Sequence, residues 1–79
     1  MSSENTEQRQ KAFDALDAQV KLEFARIQQE CEQSEDGVVR LSWNALALKH
    51  ISEQALHTLK YAGLIEWTYE KYTFHVKLV

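Results

Sequence analysis

His50, Glu53 and His57 lie three and four residues apart, and two imidazoles with a carboxylate are a donor set that zinc accepts. On an unbroken helix that spacing would put all three on one face. The same residues serve a plainer purpose, a surface pair of Glu53 with His57 at i,i+4. A break at His50 takes that imidazole off the face, so no metal is expected. Cys31, the lone cysteine, falls in an apolar stripe and is expected as a buried thiol rather than a nucleophile or ligand. With only Gly37 and Gly63 there is no glycine-rich phosphate loop, and no Cys-x-x-Cys or Ser/His/Asp set stands at a recognisable spacing. A chain of 79 residues also struggles to enclose a substrate pocket of ~300 Å³ around a core. The chemistry points to a non-enzymatic binding protein without a cofactor.

The elements that would position a binding surface begin with a long helix over residues 7–33. Phe13, Leu16, Val20, Phe24, Ile27 and Cys31 recur at three- and four-residue steps, one stripe of a helix, in a segment free of Gly and Pro. Glu7 with Lys11 and Asp17 with Lys21 add acid-before-base pairs, each worth ~0.2–0.5 kcal/mol. Residues 1–6 read as a loose polar tail, leaving 7–79 as one domain. A core this small seldom supplies more than ~3–5 kcal/mol, and one cysteine allows no internal disulfide, so a second subunit is the expected supplement. Phe13, Leu16, Val20, Phe24 and Ile27 then either lie on the chain's own core or form a two-helix homodimer seam.

Ser34-Glu35-Asp36-Gly37 stops this helix, and Val38 to Leu41 reads as a short strand. Ser42 has the chemistry to cap the next helix. Residues 43–62 fit one helix, with Leu48, Ile51, Ala55, Leu59 and Ala62 inward, or two helices broken at His50-Ile51-Ser52. The break is favoured, because Ser52 is a second cap and Trp43 with Leu46 needs a separate face to bury. Gly63 ends the helix. The rest reads as a hairpin turned at Glu70-Lys71, with Tyr69 opposite Tyr72, Trp67 opposite Phe74 and Ile65 opposite Val76 on one side. Thr68 with Thr73 and Glu66 with His75 fill the other. Trp43, Trp67, Tyr69, Tyr72 and Phe74 are expected to face the first helix as core, with Tyr69 and Tyr72 the most exposed; a stacking platform for single strands is their other use. The fold class is α+β.

The order helix, strand, helix, helix, hairpin resembles the winged helix-turn-helix superfamily. Residues 55–66 carry the likeness, in the pattern L-x-x-x-G-L-I from Leu59 to Ile65, similar to a recognition helix and its exit into the wing. Family members usually place a Gly between the two helices, where this chain has His50-Ile51. The resemblance implies a DNA-binding regulatory or accessory protein. Gln54, His57, Thr58 and Tyr61 would meet base edges, and Lys49, Lys60, Lys71, Arg40 and Lys77 the phosphates of double-stranded DNA. Acids dominate residues 1–36, while those five cations stand against Glu53, Glu66 and Glu70 in residues 37–79. The alternative is a protein-interaction module, a small inhibitor or assembly factor using its acidic first helix or its hairpin. The longest apolar run, Ala45 to Leu48, is far below the ~18 residues of a membrane span, and the opening residues have no signal pattern, so a cytosolic chain without a membrane partner is expected.

Overall fold

The computed structural model describes residues 2–79, with side chains from Glu7 onward; Met1 lies outside the described residues. The elements are α1 (Ser2–Asp14), α2 (Ala18–Gln33), β1 (Val38–Ser42), α3 (Trp43–Leu48), α4 (Glu53–Tyr61), β2 (Ile65–Glu70) and β3 (Thr73–Leu78). They make an α+β fold with a winged-helix-like arrangement, in which a three-stranded antiparallel sheet is ordered β1-β3-β2.

The rod expected over residues 7–33 is two helices, and helix begins at Ser2, inside the stretch read as a tail. Asp17 makes the break. Its carboxylate accepts the Val20 N–H at 2.9 Å and so caps α2 instead of pairing with Lys21. A cap of this kind is worth ~0.5–2 kcal/mol, more than an exposed i,i+4 pair. The bend also serves packing. On one straight rod Phe13 and Phe24 would stand about 16 Å apart along the axis. Bent, their ring centroids are 5.8 Å apart, and Lys21 Nζ lies 5.4 Å from the Phe13 centroid.

Phe24, Ile27 and Cys31 enter the core, and Phe13, Leu16 and Val20 lie half-buried against it. The stripe therefore covers the chain's own interior. Ile27 has no exposed surface and Phe24 keeps 6% of its own, which leaves neither available for the expected homodimer seam. Burial pushes the Cys31 thiol above its ordinary value, so it stays protonated, with Sγ 3.8 Å from the Val76 carbonyl.

β3 is the central strand, with Val39 opposite Val76 and Leu41 opposite Phe74 on one side of it. On the other side Ile65 faces Leu78, Trp67 faces Val76 and Tyr69 faces Phe74. This register differs from the expected one by two residues. The turn residues are Lys71 and Tyr72, not Glu70 and Lys71, at φ 50° and 64°. Two successive left-handed residues match the twist of a two-residue hairpin, even without Asn-Gly. An even shift keeps every side chain on its face. Leu78 joins the core face and Tyr72 moves out to the turn.

Candidate interaction surfaces

α3 and α4 end in the same way, and the comparison explains how a turn without glycine is held. Leu64 N–H reaches the Leu59 carbonyl at 3.0 Å behind Gly63 (φ 79°), and Ile51 N–H reaches the Leu46 carbonyl at 3.0 Å behind His50 (φ 56°). Both are Schellman-type closures, and the second sets a histidine where glycine is preferred. α2 supplies the missing support. Arg26 Nη1 donates to the His50 carbonyl at 2.9 Å, and buried Glu23 accepts the Ser52 N–H and, at 3.0 Å, the Gln19 amide. Burial raises the Glu23 carboxyl, but the Ser52 N–H, the Gln19 amide, the Ser52 hydroxyl and the Arg26 charge outweigh it, so its pKa sits below the ordinary value. Ser52 itself caps α4, accepting the Ala55 N–H at 3.0 Å. Glu23 and Arg26 were not visible as a clamp in sequence, because their partners stand 29 and 24 residues away.

The residues expected to read DNA lie on α4 and around it. Gln54, His57 and Tyr61 are exposed and Thr58 is half-buried. His57 Nε2 lies 3.4 Å from Glu53 Oε2, and the imidazole packs edge-on against Trp67 with centroids 5.1 Å apart. His50 is off this face, in the turn, and among the described residues no three metal-capable side chains converge. The Trp67 indole N–H donates to the Leu56 carbonyl at 3.0 Å, and Trp67 packs on Phe74. Trp67 thus packs against α4 and Phe74 against Trp43 of α3, while Tyr69 and Tyr72 are exposed.

The expected phosphate contacts are mostly engaged. Lys49 Nζ is 3.1 Å from Glu30, Arg40 is 3.1 Å from Asp36, and Lys77 Nζ is 3.5 Å from Glu66. Lys60 folds back, donating to the Trp67 carbonyl at 3.1 Å with Nζ 4.5 Å from the ring centroid. Lys71, at the hairpin tip, has no carboxylate partner among the described residues.

Both sheet edges are partly closed as well. The Val38 N–H on β1 donates to Asp36 at 3.1 Å, and the Ser34 hydroxyl lies 2.8 Å from both Asp36 Oδ1 and the Val38 carbonyl, donating to one at a time. The Ser34 hydroxyl, the Val38 N–H and Arg40 hold the Asp36 carboxyl well below the usual carboxylate range. On β2, Lys60 occupies the Trp67 carbonyl. Such side-chain covers discourage a further strand from adding.

Another exposed surface, besides the isolated apolar side chains of Leu22, Tyr61, Tyr72 and Val79, is the outer face of α3. At about 100° per residue, Trp43, Ala47, Asn44 and Leu48 follow one another around an arc of about 140° while Leu46 points to the core. None of the four is charged and all are exposed, Leu48 by 74% and Trp43 by 47%. Trp43 is fixed in place. Its indole N–H donates to the Tyr69 hydroxyl at 2.8 Å, and it stands edge-on to Phe74 at 5.1 Å. Tyr69, itself 42% exposed, extends the apolar surface onto the hairpin. Read as one helix, residues 43–62 would turn Leu48 inward, in phase with Ile51. The favoured break at His50 is present and cancels that phase, so Leu48 and Ala47 emerge on the outside. Trp43, expected inside with Leu46, is instead half-open.

The sequence matches no family model, and no curated protein or solved structure matches it. No helix among the described residues is long and apolar enough to cross a membrane.

Proposed function

We propose that this chain is a non-enzymatic protein-docking module, working through the outer face of α3 and the adjoining Tyr69. The observation that carries the reading is Trp43, held to Tyr69 at 2.8 Å while 47% of it faces solvent. A large ring already fixed in its bound position loses little entropy on binding, which is why such residues dominate interface energetics. Around the helix, the smaller Ala47 and Asn44 come between Trp43 and Leu48. An uncharged face of this kind suits an apolar partner. This is the protein-interaction alternative with its contact moved, from the acidic helix and hairpin edge to α3.

A second reading, a winged-helix DNA-binding regulator, is supported by the outward Gln54, His57 and Tyr61 and by Lys71 at the hairpin tip. Against it stand the engaged cations, since duplex binding draws on unpaired positive charge. Fluorescence anisotropy with mixed-sequence duplex at low salt separates the two. The docking reading expects no saturable binding at micromolar protein, together with retention of a host protein by the wild type and its loss in Trp43→Ala. Salt-sensitive duplex binding that Lys71→Ala weakens would reverse the order of the two readings.

A further inference from the structure

We infer that the groove between α1 and the body of the fold binds a small anionic amphiphile, its apolar part against Phe13 and Leu78 and its charge on Arg9. The groove has a volume of about 360 Å³. Small-ligand pockets start at ~300 Å³, so a molecule of one or two rings or a medium alkyl chain fits. Phe24 and Leu64 form its floor and are buried, while Phe13 and Leu78 line it half-buried. The space is open because α1 has little with which to fill it. Between Ser2 and Asp14 the one large apolar side chain is Phe13, which is spent on Phe24 at 5.8 Å between centroids. A helix polar on its other faces does not close down on an apolar floor.

Charge decides which amphiphile. Arg9 is the one ionisable side chain on the lining. Its neighbours at helical spacing are Asn5, Thr6, Ala12 and Phe13, none of them acidic. Unlike Lys49, Arg40 and Lys77, it has no carboxylate partner among the described residues. A guanidinium presents paired N–H donors that match a carboxylate or sulfonate, and the Gln28 carboxamide across the groove adds another donor. Gln10 is already turned to Asp14 at 3.0 Å. A molecule in the groove touches α1, α2 and β3 together, so occupancy fastens α1 to the body. The site is separate from the α3 face and does not depend on the reading of that face.

Two fluorescent probes test this on the full chain at neutral pH: anilinonaphthalene sulfonate, which is anionic, and phenylnaphthylamine, its uncharged counterpart. The wild type should bind the sulfonate saturably at a single site. Arg9→Gln should weaken the sulfonate at least about fivefold and leave the amine within about twofold of wild type. Arg9 is exposed, so circular dichroism should not change. Leu48→Ser, on the other apolar surface, should leave both probes bound as before. Amide hydrogen exchange over residues 7–13 should slow when the sulfonate saturates the chain. Absence of saturable binding, indifference of the sulfonate to Arg9→Gln, loss of binding in Leu48→Ser, or unchanged exchange in α1 overturns the inference. Capture of a host protein that depends on Trp43 would still stand, so the two failures are distinct.

Discussion

The two helices of the helix-turn-helix unit present opposite kinds of outer surface. On α4, Glu53 meets His57, Lys60 lies on Trp67, and the helix start is fastened to α2 through Ser52 and Glu23. On α3, Trp43, Ala47 and Leu48 face outward without a polar partner beyond the Trp43–Tyr69 bond. Fold resemblance directs attention to α4, where Tyr61 is 96% exposed, whereas on α3 the uncovered side chains, Trp43, Ala47 and Leu48, are uncharged and adjoin one another. Position within a fold therefore does not choose the working face, and the partners of each side chain do.

Substitutions should divide along that line. The largest effect is expected where α2 holds the turn. Glu23→Ala leaves the Ser52 N–H without its acceptor and should cost about 1–3 kcal/mol in urea unfolding. A negligible loss would mean that the turn holds itself. The same carboxyl has a signature in acid. Its folded pKa is below its unfolded value, so its contribution is complete above the ordinary carboxylate range and is lost as pH falls through the folded value. The wild type should lose melting temperature over that interval more steeply than Glu23→Gln. Next comes the hairpin tip. Tyr72 holds φ 64°, a conformation that costs a side-chain residue about 1–2 kcal/mol and glycine little, so Tyr72→Gly should stabilise by about 1 kcal/mol. On α4, Lys60→Ala removes an exposed cation from over the half-buried Trp67 ring and should cost about 0.5–1 kcal/mol. The smallest change belongs to α3. Leu48→Ser should leave stability within about 0.5 kcal/mol of wild type, because Leu48 is 74% exposed. A large loss there would make Leu48 a structural residue and remove the contrast with α4.

Much of the architecture was legible because it depends on local chemistry. Ser42 and Ser52 are caps wherever a helix comes after them, Gly37 and Gly63 take the left-handed turns, and strict alternation put Trp67, Phe74 and Val76 on one face of the hairpin. What escaped depended on competition between near-equal local options or on distant partners. Asp17 suited both a continuing helix with Lys21 and a fresh cap, and the contact of Phe13 with Phe24, eleven positions on, favours the cap. The hairpin could turn at Glu70-Lys71 or at Lys71-Tyr72. Burial of Leu78 opposite Ile65 goes with the second, and β1 adds a third strand against the same residues of β3. The candidate site was hardest to read. Lys49, Arg40, Lys77 and Lys60 look like free cations until the fold brings Glu30, Asp36, Glu66 and Trp67 beside them. Leu48 is inward only if residues 43–62 are one helix, and the break at His50 turns it out.

The claim that α3 rather than α4 is the working face is most directly tested by photocrosslinking in the native host. A photoreactive residue is placed at Leu48 in one variant and at Tyr61 in another, both exposed and both tolerant of change. Covalent adducts with a host protein should form from position 48 and be absent from position 61. Adducts from 61 alone would contradict the account and return the binding surface to α4.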